Sequence, residues 1–322
     1  MRMLQIAVAL VALASAAQAQ PAAYPTRPIT VVVPYGPGGP TDTVGRIVAE
    51  AMGAELGERL IVENAAGAGG TVGGARVANA EKDGYTLLFN HIGMATAPGF
   101  YPNAPADPVR DFEPIGQVAD VPMTLIGRKD LAPENLSALI AYVEVNGNKV
   151  TQAHAGPGTA SYLCWLLLQT ATGTEATGVS YNRGFAPAMI DLLGGRVDLI
   201  CDQTSTTTNA ITSREVRAYA VTTRDRLGTL PEVPTMDEGG VKDFELAIWH
   251  GFYAPKGTPK PVIERLSQAL GKALRSKLVV ERYGQIGAIP ASPEAATPAG
   301  LATKLASEIA RWTPVIKASQ AK

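Results

Sequence analysis

The residues with the clearest chemical potential are glycines, which are grouped in three loops between an apolar run and a helical pattern. The loops are P-Y-G-P-G-G-P-T-D at 34–42, N-A-A-G-A-G-G-T-V-G-G at 64–74 and A-G-P-G-T-A-S at 155–161. A helix N-terminus carries unpaired N–H donors and partial positive charge, and glycine lets a ligand approach the backbone. We therefore interpret residues 36–42 as a loop that binds a carboxylate. The alternative is an ordinary strand-to-helix turn.

Polar and aromatic side chains flank the same strand ends and offer specificity for the rest of a ligand. They are Tyr35, His91, Tyr162, Tyr181, Arg183 and Trp249. An arginine can hold a second carboxylate through two parallel hydrogen bonds, although Arg183 also fits a solvated loop. The polar run Q-T-S-T-T-T-N at 203–209, which includes Thr204, either binds a polar ligand end or forms a helix-capping loop.

Patterns for catalysis, cofactors and metals are weak. The sequence has no G-x-S-x-G nucleophile motif, and His91, His154 and His250 are too far apart for helical metal-ligand spacing. The second loop resembles a dinucleotide fingerprint but lacks a suitable acidic residue about 20 positions later. A bare carboxylate repels a bound anion, so Asp42 and Asp202 are interpreted as helix caps or loop braces. We expect no enzyme activity, no cofactor and no metal.

Two β/α units must position these loops. The first has a β-α-β-α-β order, which favours a parallel sheet covered by helices, with strands at 29–33, 60–63 and 85–90. The second has strands at 150–154, 179–181, 197–201 and 218–221. Extended segments at 115–127 and 244–254 connect the units, and a closing helix begins at Pro298. The fold class is α/β, with two lobes and a cleft between them, where loops at the carboxyl ends of parallel strands converge on a ligand.

A secretory leader is predicted over 1–19. Arg2 supplies its positive end, an apolar stretch follows, and A-Q-A at 17–19 is a small-residue cleavage signal. We find no later apolar run of about 18 residues, so we expect a protein exported to the periplasm. The lobes are then predicted as 24–120 plus 250–322 and 121–249.

The composition argues against a nucleic-acid partner but does not decide whether the two cysteines form a disulfide. A formal charge of −1 offers no electrostatic footprint for nucleic acid, and 46% hydrophobic with 18% charged residues is typical of a globular chain. Cys164 and Cys201 could pair outside the cytoplasm, but two thiols in apolar segments also serve as small core residues. Free thiols are the favoured interpretation.

Motifs along the whole mature chain point to one family. They are V-V-P-Y-G-P-G-G-P-T-D at 32–42, V-E-N-A-A-G-A-G-G at 62–70, D-G-Y-T-L-L at 83–88, D-L-L-G-G-R-V-D at 191–198 and Y-A-P-K-G-T-P-K-P-V at 253–262. In this order they resemble the tripartite tricarboxylate transporter receptors, also called Bug-type solute-binding proteins. The resemblance implies a Venus-flytrap receptor of the type II periplasmic-binding class. Such a receptor closes on an organic carboxylate and delivers it to a permease of one large and one small membrane subunit.

The resemblance also implies a site. In the family, the first and third loops hold the inner carboxylate largely through backbone groups and waters, while the second loop and the Asp202 position line the cleft. The predicted ligand-binding set is Tyr35, Gly36, Pro37, Gly38, Gly39, Asp42, Ala66, Gly67, His91, Gly156, Gly158, Thr159, Ser161, Tyr181, Arg183, Asp202 and Thr204. We expect a monomer that binds a di- or aromatic carboxylate.

The sequence departs from the family at the parts that would select the ligand. The third loop often reads G-S-G-S-x-S-H in the family, whereas Pro157 and Tyr162 here replace the first serine and the histidine. A segment that is usually Y-K-G-G-A-P-A is one residue longer, so Arg183 has no clear counterpart. A receptor that signals to a membrane sensor kinase would use the same cleft and remains the alternative function.

Overall fold

The computed structural model describes residues 24–181 and 185–320. The strands in this part of the chain are β1 (Ile29–Val33), β2 (Leu60–Asn64), β3 (Thr86–His91), β4 (Phe112–Arg128), β5 (Thr151–His154), β6 (Thr177–Ser180), β7 (Leu199–Gln203), β8 (Val216–Val221), β9 (Ala247–Pro255) and β10 (Ile289–Pro290). The α-helices are α1 (Pro40–Leu56), α2 (Thr71–Ala78), α3 (Gly93–Phe100), α4 (Leu136–Asn146), α5 (Ala160–Thr172), α6 (Ala186–Leu193), α7 (Thr204–Thr212), α8 (Lys260–Ala273), α9 (Lys277–Gln285) and α10 (Pro298–Gln320). Short 3₁₀ turns cover Ala68–Gly70 and Gly147–Lys149. The predicted leader lies outside the described residues.

The strands follow the order β2-β1-β3-β9-β4-β7-β5-β6, with β8 and β10 also pairing with β4. In the first half, β1 lies parallel to both β2 and β3, whereas β9 is antiparallel to both β3 and β4. In the second half, β5 lies parallel to β6 and β7, and β4 is antiparallel to β7 and β8. This is the two-lobe α/β architecture expected from the alternating strand and helix patterns.

The long strand β4 belongs to both halves. Its residues Phe112–Pro122 pair with β9, and its residues Met123–Arg128 pair with β7 and β8. The predicted extended segment at 115–127 is therefore a strand that passes from one sheet into the other. Pro122 is accommodated within this strand.

Helices bury one apolar face each against these sheets. In α1 the buried positions Val44, Ile47, Val48 and Met52 recur at helical spacing. In α10, Leu301, Leu305 and Trp312 are buried, and Thr297 before the helix accepts a hydrogen bond from the N–H of Gly300. Strands covered on both faces are apolar throughout, as in Val31–Val33. The part of the chain that the structure describes contains no helix long and apolar enough to cross a membrane.

Two helices lie where the sequence predicted none. Helix α3 contains Pro98 and lies between the predicted strand at 85–90 and the extended segment at 115–127. Helix α7 consists mainly of threonine and serine, residues with modest helix propensity. Its hydroxyl groups bond within the fold: Thr208 donates to the carbonyl of Thr204, and Thr124 on β4 bonds to Thr207 at 2.7 Å. Tertiary contacts thus stabilise a helix that local preference does not predict.

The two cysteines form a disulfide, against the expectation of free thiols. Cys164 in α5 and Cys201 in β7 are both fully buried, and their Cα atoms are 6.1 Å apart. The bond connects the helix that follows the third glycine loop to the strand that ends at Gln203. It therefore ties together two walls of the cleft described next.

Candidate functional site

A cavity of about 220 Å³ lies where the three glycine loops meet. It opens between the lobe built on β1–β3 and the lobe built on β5–β7. Its wall in the first lobe consists of Pro34, Tyr35, Gly36, Gly39, Pro40, Thr41, Ala66, Gly67, Ala68, Gly69, Gly70, His91 and Tyr101. Its wall in the second lobe consists of Ala155, Pro157, Thr159, Ala160, Ser161, Ser180, Tyr181, Phe185, Asp202 and Gln203.

The first glycine loop ends at an uncapped helix. Gly39 is the N-cap of α1 and Pro40 follows at the first helical position, and no side chain caps the helix. Since the first N–H groups of a helix have no intrahelical acceptor, the amides that follow Pro40 in this turn need a partner from outside the helix. Gly36, Gly39 and Thr41 line the cavity, so this turn presents partial positive charge there.

Asp42 stabilises the first loop by hydrogen bonds and lies outside the cavity wall. Its carboxylate accepts hydrogen bonds from the N–H of Gly38 at 2.9 Å, from Arg46 at 2.9 Å and from Asn64 at 2.9 Å. Burial acts to raise the pKa of Asp42, but these hydrogen bonds together hold it below its usual value. The interpretation of Asp42 as a loop brace agrees with this geometry.

The third loop also leads into an uncapped helix. Thr159 is the N-cap of α5, but its hydroxyl donates to the carbonyl of Gly156 at 2.6 Å and does not cap the helix. Ser161 accepts from the N–H of Ala155 at 2.9 Å, which closes the loop on itself. Thr159, Ala160 and Ser161 line the cavity, so a second helix N-terminus faces it from the opposite lobe.

The second loop holds left-handed glycines and touches the third loop. Gly69 and Gly70 have φ of +62° and +98°, and Gly70 is the N-cap of α2 without a side-chain cap. A β-carbon on Gly69 would lie 2.6 Å from the carbonyl oxygen of Pro157. Tyr101 donates to that same oxygen at 3.3 Å, and Thr96 donates to the carbonyl of Gly158 at 3.0 Å. These contacts join the two lobes beside the cavity.

His91 is held as a neutral donor at the cavity wall. Its Nδ1 accepts from the N–H of Gly93 at 2.8 Å, and its ring stacks on Tyr35 with ring centroids 4.3 Å apart. Burial, followed by the neighbouring His250, keeps the pKa of His91 well below its usual value. A neutral ring whose Nδ1 accepts must carry its proton on Nε2. Tyr35 completes the network by donating to Asn90 at 2.9 Å.

Asp202 and Gln203 close the cavity at the end of β7. The hydroxyl of Thr206 donates to Asp202 Oδ2 at 2.7 Å. Burial raises the pKa of Asp202 to about 7, although hydrogen bonds from Thr206 and from the N–H of Gln203 act to lower it. Asp202 was predicted as a brace or cap, and it braces the start of α7 while also lining the cavity.

The structure brings ten of the predicted site residues to the cavity wall. They are Tyr35, Gly36, Gly39, Ala66, Gly67, His91, Thr159, Ser161, Tyr181 and Asp202. Six others lie outside the wall: Pro37, Gly38, Asp42, Gly156, Gly158 and Thr204. Arg183 lies outside the described residues. Direct contact of these side chains or amides with a ligand remains a prediction.

The six residues outside the wall have other surroundings. Gly38 is exposed, takes a left-handed φ of +71° and gives its N–H to Asp42, and Pro37 beside it is also exposed. A β-carbon on Gly158 would meet Ala97 Cα of the other lobe at 3.2 Å, so this glycine permits contact between lobes. Thr204 is fully buried and donates to the carbonyl of Gly287 at 3.3 Å.

Sequence reasoning missed several wall residues. Phe185 follows the segment whose length departs from the family, and Tyr101 lies between the predicted strand at 85–90 and the extended segment at 115–127. Gln203 was noted only as part of a polar run, although its position directly after a buried strand was a usable signal. Tyr162 and Trp249, considered for ligand contact, instead pack with Phe100 and inside the core. Among the described residues, no group of three or more His, Cys, Asp or Glu could hold a metal.

His154 repeats the arrangement of His91 in the second lobe but lies inside the packing. Its Nδ1 accepts from the N–H of Gly156 at 3.0 Å, and burial lowers its pKa to about 4. The unfolded chain binds this proton near pH 6.5, so between pH 6.5 and 4 the unfolded state holds more protons than the native state. The stability that depends on neutral His154 is therefore present above pH 6.5 and lost as the pH falls toward 4.

We expect the His154→Asn variant to be less sensitive to acid than the wild type. Between pH 7 and pH 5 His154 should account for about 2 kcal/mol of the wild type's loss in unfolding free energy. Asparagine keeps an oxygen that can accept from Gly156 but does not titrate. Urea unfolding at both pH values measures the difference, and an unchanged pH dependence in the variant would contradict the assigned titration.

Comparison with known proteins agrees with this arrangement. The sequence model of the family described as tripartite tricarboxylate transporter family receptor matches residues 44–320. A protein of Agrobacterium vitis, named UPF0065 protein in the TAR-I ttuE-ttuC' intergenic region, is 51% identical over 300 residues. The alignment covers 93% of this chain and 86% of that protein.

Solved structures resemble the whole described fold. The periplasmic binding protein BugD superposes with a TM-score of 0.89 at 48% identity, covering 92% of this chain and 99% of its own. MatC from Rhodopseudomonas palustris with bound malate gives 0.87 at 38% identity, covering 91% and 100%. A second R. palustris protein, with adipate, gives 0.87 at 32% identity, covering 92% and 98%. These matches confirm the predicted resemblance and the two-lobe fold.

Proposed function

Since this chain belongs to the tripartite tricarboxylate transporter receptor family, we propose that it captures a small organic carboxylate in its cleft for uptake by a membrane permease. Malate and adipate, found in the two R. palustris structures, are both dicarboxylates and support a ligand of this class. A cavity of about 220 Å³ is smaller than the roughly 300–1,000 Å³ typical of sites for drug-sized ligands. This favours an acid of few carbons.

One observation carries the proposal: helix N-termini from both lobes line the cavity without side-chain caps. Gly39 of α1, Gly70 of α2 and Thr159 of α5 are the N-caps, and each lies in the cavity wall. Among the described residues, no lysine or arginine lines the cavity. An anion bound there is stabilised by amides and helix dipoles, each contributing about 0.3–2 kcal/mol depending on burial.

Binding couples to closure because the donors come from both lobes. An acid held by α1 and α5 together is bound best when the lobes approach, so it shifts the equilibrium toward the closed state. In this structure Tyr101 and Thr96 already hydrogen-bond to the third loop of the opposite lobe. We propose lobe limits of 24–120 plus 250–322 and 121–249, of which the limit at 120/121 lies close to the point where β4 passes from β9 to β7 and β8.

The family is one of receptors, and we propose that this chain binds its ligand without chemical conversion. We place it in the periplasm, exported through the leader predicted over 1–19, where it acts as a monomer. The closed form would present a surface made by both lobes to the permease. The periplasmic binding proteins of the same fold are consistent with this location.

Titration calorimetry against mono-, di-, tri- and aromatic carboxylates tests the proposal. The protein is first unfolded, dialysed and refolded to remove ligand carried through purification. We expect at least one acid to bind with a dissociation constant of about 1 μM or lower, which corresponds to about 8 kcal/mol. Absence of binding below about 1 mM across the panel would contradict carboxylate capture.

A neutral analogue supplies the matched control. The monoamide of the best acid has nearly the same shape but loses one negative charge. If helix dipoles hold the carboxylate, the amide of the anchored end should bind at least about 10-fold more weakly. Equal affinities of acid and both monoamides would show that the charge is not what the cavity recognises.

A further inference from the structure

The ring of His91 has one hydrogen-bonding atom that the fold does not use. Its Nδ1 accepts from the N–H of Gly93 at 2.8 Å, and Tyr35 covers one face of the ring with ring centroids 4.3 Å apart. Only 3% of the residue's surface is exposed, and the residue lines the cavity. With the Nδ1 edge and one face occupied, the Nε2 edge is the part of the ring that remains to line the cavity.

The neighbouring His250 shows the contrast between a sealed ring nitrogen and an open one. The two rings meet edge to face with centroids 5.8 Å apart, and His250 is fully buried. Within the described residues, Nε2 of His250 is a sealed atom without a partner, whereas Nε2 of His91 also forms no hydrogen bond but is not sealed. The acceptor for the His91 N–H must therefore come from the cavity, where a ligand can supply it.

The surroundings of His91 keep this donor neutral and fix its tautomer. A backbone N–H can only donate, so Nδ1 keeps its lone pair for Gly93 and the ring proton lies on Nε2. Burial, followed by His250, holds the pKa of His91 well below its usual value. A proton on Nδ1 would also set two N–H groups against each other. His91 is thus a donor of fixed direction that adds no positive charge to the cavity.

His91 lies beside the proposed anchoring point for a carboxylate. It ends β3, and β3 runs parallel to β1, whose end leads into the first glycine loop. Because neighbouring strands are about 5 Å apart, the imidazole meets a ligand about one strand spacing from the N-terminus of α1. The two carboxyl groups of a short diacid such as succinate or glutarate are separated by a comparable distance. The donor is therefore placed for a second group of the ligand.

We propose that His91 is a specificity-determining residue whose Nε2–H donates to a second oxygen of the ligand, on a carboxylate or a hydroxyl group, while the helix N-termini hold the first carboxylate. This inference rests on the proposed carboxylate capture and names the ligand class more closely. An acid with a hydrocarbon end would leave the buried N–H unpaired and bind more weakly. Malate and adipate, found in the two R. palustris structures, each carry a second oxygen-bearing group.

Acids that differ only at the far end of the chain test this role. The series are butyrate, 4-hydroxybutyrate and succinate; pentanoate, 5-hydroxypentanoate and glutarate; and hexanoate, 6-hydroxyhexanoate and adipate. At the chain length that binds best, we expect calorimetry on the wild type to show the hydroxy acid or the diacid binding at least about 10-fold more tightly than the acid with a methyl end.

His91→Asn removes the donor and keeps the acceptor that the loop needs. The asparagine oxygen can accept from the N–H of Gly93, but the side chain is too short to place a donor at the former position of Nε2. The preference for an oxygen-bearing end should then fall to within about 3-fold, because only the acids that carry it lose a hydrogen bond. The affinity of the acid with a methyl end should stay nearly the same.

His154→Asn is the matched control. His154 ends β5 in the second lobe as His91 ends β3 in the first, and its Nδ1 accepts from the N–H of Gly156 at 3.0 Å. It does not line the cavity. This variant should therefore keep the wild-type preference, and thermal melts of both asparagine variants check that they fold.

Nitrogen NMR of the imidazole rings supplies a second measurement on the wild type. The chain has three histidines, and Nδ1 of His250 lies 3.1 Å from the carbonyl oxygen of Ile248, so His250 carries its proton on Nδ1. We expect His91 to carry its proton on Nε2, and this proton to become protected from solvent exchange when the preferred acid is added but not when its methyl-ended counterpart is added. A proton on Nδ1 of His91, or no added protection, would overturn the assignment.

The outcomes distinguish this inference from the proposed function. If methyl-ended acids bind as tightly as the others, or if His91→Asn keeps the preference, the role of His91 is overturned while carboxylate capture stands. If His154→Asn loses the preference as well, the loss does not come from a ligand contact and the inference fails. If no acid of any series binds, both proposals fail. If His91→Asn does not fold, the NMR measurement on the wild type decides alone.

Discussion

Replacing Gly69 with alanine is expected to weaken ligand binding by at least about 100-fold, or about 2.7 kcal/mol. The added methyl group would lie 2.6 Å from the carbonyl oxygen of Pro157 and 2.7 Å from the Tyr101 ring. Pro157 belongs to the opposite lobe, so the overlap with its carbonyl oxygen is relieved if the lobes move apart, whereas the Tyr101 ring lies in the same lobe as Gly69 and must shift aside. The open state should then dominate, because a ligand can shift the equilibrium only by its differential affinity for the closed state.

Backbone strain must be separated from this clash, and Gly173 provides the control. Gly69 has φ of +62° and Gly173 has φ of +67°, but a β-carbon on Gly173 would have nothing within 4 Å. Both alanine variants should therefore lose about 1 kcal/mol of stability to backbone strain, and Gly69→Ala should lose more because the Tyr101 ring must also move. Only Gly69→Ala should lose affinity, and small-angle scattering should show that it stays open when ligand is added. Equal ligand affinity in the two variants would contradict a lobe contact at Gly69.

Removal of the disulfide is expected to cost the fold about 4 kcal/mol. Cys164 and Cys201 are separated by 37 positions, and the chain-entropy relation gives about this value for such a loop. The double variant Cys164→Ala/Cys201→Ala avoids leaving a free thiol. Urea unfolding of wild type and variant measures the difference, and equal unfolding free energies would show that the bond does not stabilise the fold.

The same variant should also bind ligand more weakly. The disulfide joins α5, whose N-terminus lines the cavity, to β7, which ends at Asp202 and Gln203. Without the bond, these two walls of the second lobe lose a covalent tie. Unchanged affinity alongside lost stability would mean that packing alone keeps the walls in place. As a control, the ligand affinity of the folded wild type is measured with and without reductant. Both sulfur atoms are buried, so the reductant should not reach the bond and the affinity should stay the same.

Local sequence patterns predicted the parts of the fold that depend on periodicity. The apolar run at Ile29–Val33 and the helical spacing of Leu301, Leu305 and Trp312 were sufficient, because burial on one or both faces determines them. The start of α1 at Pro40 follows from the preference of proline for the first helical position. The long strand β4 was also recognisable from its extended pattern.

Features that depend on distant contacts were not accessible from the sequence. Helix α7 forms although threonine favours strands, because Thr207 finds a partner in Thr124 from β4. The disulfide needed knowledge that α5 packs against β7. In the site, the loops were correctly recognised as units, but the pattern did not show that Gly38 gives its N–H to Asp42 or that Gln203 belongs to the cavity wall. Such directions depend on single backbone torsions.

The position of β9 has a consequence for how the chain matures. This strand, formed by residues 247–255, inserts between β3 and β4 and is hydrogen-bonded to both. A nascent chain that emerges from its N-terminus must therefore keep the edge of β3 unpaired while residues 92–246 are delivered. Exposed strand edges invite association between chains, and pairing over such a separation is slow. Folding of the first lobe is thus a late event, completed only after nearly the whole polypeptide has been released.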